Sequence, residues 1–208
     1  MKKLGIIGGL GPMATAYFLQ LLIEMTKADM DQEHIEMIIY NSPNIPDRTS
    51  YILGKSKESP LPYFISIAEK LQNENAEVLA IPCITAHYFH EELESAIGVS
   101  VVNAVTETAK YLKNRGYCKV GIMATDATVK KGIFSQELEK YEIESVCPEE
   151  EQQAMVMELI YDNVKSGKAI RWECFEQVSE ELFAKGAEVI LLGCTELSII
   201  KKENVYLM

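Results

Sequence analysis

Two segments of this chain occur twice, in the same order. Lys3-Leu4-Gly5-Ile6-Ile7-Gly8 matches Lys119-Val120-Gly121-Ile122-Met123-Ala124, and Ala76-Glu77-Val78-Leu79-Ala80-Ile81-Pro82-Cys83 matches Ala187-Glu188-Val189-Ile190-Leu191-Leu192-Gly193-Cys194, at offsets of 116 and 111. One short apolar match says little, because buried strands resemble one another. Shared order at near-equal spacing points to an internal duplication. A chain of 208 residues then divides into a first half, residues 1–103, carrying Cys83, and a second half, residues 104–208, carrying Cys194.

The periodicity within each half gives the fold class. Leu4 to Ile7 is a short apolar strand, followed by a glycine turn and a helix over about Ala14 to Lys27 with Phe18, Leu21, Leu22 and Met25 on one face. Ile35 to Tyr40 is the second strand, residues 41–49 are loop by their Pro and Asn content, and a helix over Pro62 to Gln72 leads to the strand Val78 to Ile81. Val99 to Val102 and a helix from Ala104 to Arg115 follow. The second half repeats the alternation with Val120 to Ala124, helices near Glu151 to Lys165 and Trp172 to Ala184, and Val189 to Leu192. Alternating strands and helices predict an α/β fold of two pseudo-symmetric doubly wound halves, each with a mainly parallel sheet flanked by helices. In such sheets ligands bind beyond the carboxyl ends of the strands, where both cysteines fall, so two halves packed about a pseudo-two-fold axis would share one cleft.

Charge narrows the partners. A formal net charge of −11 with no Lys/Arg stripe argues against nucleic acid. The run after Lys2 and Lys3 is broken by Gly8-Gly9-Leu10-Gly11-Pro12, which excludes a signal peptide, and no apolar run is long enough to span a bilayer. Five scattered cysteines fit neither a disulfide framework nor a zinc ribbon, and imply a reducing cytoplasm.

Two equivalent thiols suit one kind of reaction. Inverting a stereocentre through a planar carbanion takes one base to remove the α-proton and one acid to return a proton to the opposite face. Cysteine, with a free pKa of about 8.5 that falls at helix N-termini, can supply both states near neutrality. Cys83 and Cys194 are expected at strand-to-helix transitions, where the helix dipole would favour thiolate and main-chain N–H groups would receive a carboxylate.

The segments Gly8 to Thr15, Asn41 to Thr49, Pro82-Cys83-Ile84-Thr85-Ala86-His87 and Gly193-Cys194-Thr195-Glu196-Leu197 resemble the aspartate/glutamate racemase family, over Lys3 to Leu197. The resemblance implies racemisation of aspartate or glutamate by two-base proton transfer, without pyridoxal phosphate, other cofactor or metal, in a homodimer. It assigns the catalytic roles to Cys83 and Cys194, and substrate contacts to Gly9, Leu10, Gly11, Asn41, Thr49, Thr85 and Thr195. Arg48 and Lys165 would hold the side-chain carboxylate, a pairing that suits a dicarboxylic amino acid. Thr125 and Thr128 fall where the family binds carboxylate, although helix capping accounts for them equally. His87 and Glu196 are supporting residues, with His87 expected to orient the Cys83 loop and His90 to lie at the surface.

Two departures from the family pattern stand out. Ile84 replaces the usual Asn after the first cysteine, which removes one amide donor. The second half also lacks a counterpart of the helix after Val99 to Val102, since the sequence stops at Val205-Tyr206-Leu207-Met208. Rival readings are an amino-acid-binding protein that has lost catalysis, a related isomerase acting on another carboxylate, and a zinc site from Cys83, His87, His90 and Glu91. A dinucleotide enzyme is disfavoured because the glycine turn lacks the G-x-G-x-x-G spacing.

Overall fold

The computed structural model describes residues 2–200 together with 206 and 207. Val205 and Met208, the outer residues of the final segment, lie outside the described residues, as does Met1. The chain divides into two units, Met1–Asn103 and Ala104–Met208.

The first unit is built on a parallel sheet of order β2-β1-β3-β4, with β1 Leu4–Gly8, β2 Met37–Asn41, β3 Val78–Ala80 and β4 Ser100–Val101. The second has the same order, β6-β5-β7-β8, from β5 Lys119–Met123, β6 Glu144–Val146, β7 Val189–Leu192 and β8 Tyr206–Leu207. Buried on both faces, β1 and β7 read as unbroken apolar runs, as interior parallel strands do.

The duplication holds at the level of register. Leu4, Gly5 and Ile6 face Val78, Leu79 and Ala80, while Val120, Gly121 and Ile122 face Val189, Ile190 and Leu191. Each pair is the one that the sequence offsets require. Helix α3, Leu61–Asn73, buries Phe64, Ile67, Ala68 and Leu71, and helix α9, Trp172–Ala184, buries Phe175, Val178, Ser179 and Leu182 at the same spacing. Gly5 and Gly121 explain how these helices come so close. A Cβ on Gly5 would lie 3.2 Å from Leu71 Cβ, and one on Gly121 3.1 Å from Leu182 Cβ. Even the polar edge recurs, with Glu77 N–H donating to Lys3 O and Glu188 N–H to Lys119 O, both at 2.9 Å. Lys3 pairs with Glu36 at 2.7 Å and Lys119 with Glu144 at 2.8 Å.

Several elements differ from the sequence reading. Residues 41–49 are not all loop. Asp47 caps a short helix α2, Arg48–Ile52, by accepting from Ser50 N–H at 2.7 Å. Helix α1 runs over Pro12–Met25, and its buried residues are Ala14 and Thr15, whereas Met25 is 79% exposed. Phe18 and Leu22 are partly buried, against Leu4, Ile6 and Ala80. Helices α4 His90–Ala96, α6 Asp126–Lys130 and α10 Thr195–Ile199 give bounds to the helices expected after Cys83, Thr125 and Cys194, whereas α7 Ile133–Lys140 and β6 were not anticipated. Helix α5, Ala104–Asn114, follows β4 in the chain but packs on α7 within the second unit, with Thr106 Oγ1 donating to Glu137 at 2.9 Å. The expected helix Glu151 to Lys165 is α8, Glu150–Glu158, continued by a π-helical segment, Leu159–Lys165.

Candidate active site

In the strand order shared by the two units, the chain leaves β1 toward β2 on one side and reaches β3 on the other. The crevice of such a sheet opens at the carboxyl ends of β1 and β3, and equivalently of β5 and β7. Cys83 lies three residues past β3 and Cys194 two past β7, so each unit carries one thiol at its own switch point.

In the first unit, the glycine turn after β1 is shaped by Thr15. Its hydroxyl accepts from Gly9 N–H at 2.9 Å and donates to Gly11 O at 3.2 Å. Gly9 has φ +94, and a Cβ there would fall 2.4 Å from the Ser42 main chain, so no other residue fits this close approach. Thr15 belongs to the motif but was not singled out, because a hydroxyl inside a helix gives no signal of turning back onto the preceding turn. The Arg48 guanidinium, buried, donates to Leu10 O at 3.4 Å, Ile45 O at 3.4 Å and Pro46 O at 3.2 Å. It therefore joins the turn after β1 to the loop after β2. Asn41 ends β2 opposite Gly8 and is exposed, while Thr49 is buried on α2.

Cys83 is buried, with extended backbone, just before a 3₁₀ turn over Ile84–Phe89. Its carbonyl accepts from Ala86 N–H at 3.1 Å and lies 3.1 Å from His87 Nδ1. Because a carbonyl can only accept, Nδ1 carries the proton. Burial lowers the His87 pKa from its ordinary value, with the Cys83 carbonyl opposing in part. A neutral imidazole thus holds the cysteine loop. Thr85 is buried in the same turn. His90 is partly buried rather than at the surface, its Nε2 donating to Val101 O at 2.9 Å. Among the described residues no group of three or more His, Cys, Asp or Glu is arranged to hold a metal ion, which removes the Cys83-His87-His90-Glu91 reading.

In the second unit, Cys194 caps the five-residue helix α10 and is buried. Its Sγ donates to Glu196 Oε2 at 3.0 Å, and Thr195 Oγ1 donates to the same oxygen at 3.3 Å. The other carboxylate oxygen, Oε1, has no hydrogen-bond partner among the described residues and lies 3.9 Å from Lys165 Nζ. The expectation that the helix terminus favours thiolate is overturned at Cys194. Burial raises its pKa well above the ordinary value, the Glu196 charge and hydrogen bond raise it further, and only Lys165 and one main-chain N–H work against them. Desolvation of a charged sulfur outweighs the small dipole of a helix this short.

Lys165 closes the π-helical segment, which packs on α10. Such segments are rare and widen the turn, often at functional sites. The Lys165 ammonium also lies 4.4 Å over the Tyr161 ring. Thr125 caps α6, its hydroxyl accepting from Thr128 N–H at 3.4 Å and lying 3.1 Å from Thr128 Oγ1. Both threonines are buried at the carboxyl end of β5, so capping and position coexist. Gln153, also missed, donates to Ala124 O at 3.0 Å and Asp126 Oδ1 at 2.9 Å, bracing this turn.

Residues 7–205 match the family described as Asp/Glu/hydantoin racemase. The chain belongs to that family. Its homologues include aspartate and glutamate racemases, isomerases that work without pyridoxal phosphate. The chain is 26% identical to the broad specificity amino-acid racemase RacX of Bacillus subtilis, over 95% of this chain and 86% of that one. It is 27% identical to the glutamate racemase of Aquifex pyrophilus, over 72% of this chain and 58% of that one. Among solved structures it resembles the Picrophilus torridus aspartate racemase, with a TM-score of 0.88, 33% identity, and coverage of 98% of this chain and 85% of that one. The two parallel sheets flanked by helices are those of the two-domain racemase fold. No helix among the described residues is long and apolar enough to cross a membrane.

Proposed function

We propose that the chain racemises aspartate or glutamate at Cα, with Cys83 and Cys194 as the two proton-transfer groups. The observation that carries this is the placement of one thiol past each of two strands, β3 and β7, that share register and order in the duplicated units. Aspartate is the first candidate, because the likeness to an aspartate racemase spans most of both chains, whereas the glutamate racemase match spans 58% of that protein.

In this mechanism one thiolate removes the α-proton and the other thiol protonates the planar carbanion from the opposite face. Thiol is the resting form of Cys194, so it begins as the acid. Cys83, in a loop held by neutral His87, is the partner proton-transfer group. The turn after β1, with Thr85, Thr125, Thr128 and Thr195, receives the α-carboxylate, and Arg48 and Lys165 receive the side-chain carboxylate. The reading includes a homodimer, as the resemblance to the racemase family implies, and a reducing cytoplasm, for which five free cysteines are the support.

Chiral chromatography over a panel of enantiopure amino acids tests the proposal. An acidic amino acid should be racemised fastest, and Cys83→Ala and Cys194→Ala should each lose about 10²-fold or more, as the loss of a proton-transfer group does. Full turnover in either variant contradicts the scheme. A protein that binds aspartate without converting it would be a binding protein of the same fold.

A further inference from the structure

The two units differ in how one face of each sheet is covered. In the second unit α7, the helix leading into β6, is itself covered: α5 packs on it and buries Val105, Ala109 and Leu112, while α7 buries Phe134 and Leu138. In the first unit α1 leads into β2 from the same point of the strand order, and among the described residues no helix lies along it. It buries only Ala14 and Thr15, and the cluster beneath it has three buried members, Leu4, Ile6 and Ala80.

The uncovered side of α1 is not that of a solvated helix. Met13, Ala16, Gln20 and Ile23 are all exposed, and their spacing by three and four residues is that of the seam between paired helices. The helix has one charged residue in fourteen, Glu24, whose carboxylate accepts from Gln20 Nε2 at 2.7 Å. Helix α9, one residue shorter, has four. Two chains that each carry a net charge of −11 repel one another, so close contact costs least on a face with little of that charge. The centres of protein interfaces are depleted in charge for the same reason.

We propose that α1 is the self-association surface of this protein, pairing antiparallel with α1 of a second copy about a two-fold axis at the level of Phe18. The row is complementary to itself in that arrangement. Met13 of one copy meets Ile23 of the other, and Ala16 meets Gln20, so at each inner position a small side chain lies opposite a long one. Gln20 also places a polar group inside the seam, a device that fixes register at some cost in stability. A stable dimer buries about 800 Å² on each partner, more than one helical row provides. Met25 and Met30, 79% and 60% exposed, extend the apolar surface, as do the partly buried Met37 and Ile39 of the edge strand β2, on the same face of the sheet. Pairing also steadies the turn after β1, because Thr15 on this helix holds Gly9 and Gly11. The inference rests on the homodimer reading and names its surface.

Sedimentation equilibrium of the full chain tests the pairing, with far-ultraviolet circular dichroism to follow folding. The native protein should be a dimer. Ile23→Glu sets two carboxylates into the seam and should raise the dimer dissociation constant by about 100-fold or more with an unchanged spectrum, as unpaired charges in an interface do. Tyr111→Lys, at an exposed position on α5, should leave the constant as it is. Oxidation of a variant carrying both Ala16→Cys and Gln20→Cys reads the register independently. It should give a dimer linked between those two positions, identified by mass spectrometry of the joined peptides, while neither single variant links, since like positions lie too far apart for a disulfide. Should Ile23→Glu alter the spectrum, the link decides. A native dimer that Ile23→Glu leaves intact, or a double variant that does not link, overturns the α1 surface alone. A native monomer overturns both that surface and the homodimer reading, and racemisation is scored separately by chiral chromatography.

Discussion

The Cys194 thiol donates a hydrogen bond to the buried carboxylate of Glu196, two residues further along the chain, at 3.0 Å. A buried thiol facing an anion is held protonated, and this fixes the sign of several measurable effects.

Glu196→Gln removes the charge and the charge-assisted acceptor that raise the Cys194 pKa, and leaves the larger influence of burial. The pH midpoint for alkylation of Cys194, followed by mass spectrometry of its peptide, should move down in the variant and stay above the ordinary thiol value of 9.0. An unchanged or higher midpoint would show that Glu196 does not govern the sulfur.

Stability should carry the same signature at high pH. A thiol whose pKa is raised on folding binds its proton more tightly in the native state. Its contribution is complete below the unfolded value of 9.0 and is lost as pH climbs through the raised native value. Urea unfolding above that point should show stability falling with pH, and Cys194→Ala should flatten the slope. An equal slope in the variant would contradict the assignment.

His87 works in the opposite direction. Burial lowers its pKa from 6.5, so its contribution is complete above that value and is lost as pH falls through the lower native one. His87→Leu should remove this acid dependence and lower stability at neutral pH, since it deletes the imidazole's main-chain hydrogen bonds to the Cys83 and Val102 segments. Denaturant titrations at two pH values measure both effects.

The helix-to-strand contact is testable at the matched glycines. A Cβ on Gly5 would lie 2.5 Å from Leu79 Cδ2 and 3.0 Å from Ala76 Cβ, while one on Gly121 meets nothing closer than 3.1 Å. Gly5→Ala should therefore destabilise by about 1–3 kcal/mol, the usual cost of overpacking. Gly121→Ala should cost less, since its neighbours need to give by only a few tenths of an ångström. Chemical denaturation of the two variants side by side decides the order.

Much of the fold was legible because strands buried on both faces leave uninterrupted apolar runs, and because Gly5 and Gly121 sit at matching points within them. Trp172–Ala184 and Val189–Leu192 have the bounds that periodicity assigns. Short elements were not legible. Helices of five residues, such as Arg48–Ile52 and Asp126–Lys130, complete too few turns for an apolar period to show. The π-helical run to Lys165 has the same residue pattern as an α-helix and differs only in how its main chain pairs. At the candidate site, the positions of Cys83 and Cys194 just past β3 and β7 were legible from the repeat. The state of Cys194 did not, because a helix terminus favours thiolate in general, and only the folded chain shows Glu196 turned onto the sulfur and water kept away.

Reaction in heavy water tests the central claim most directly. Starting from one enantiomer of aspartate, the product enantiomer should carry deuterium at Cα while the remaining substrate keeps its protium at early times, because different thiols remove and return the proton. Equal deuterium in recovered substrate and product would mean that one group serves both faces, and would contradict the two-thiol account.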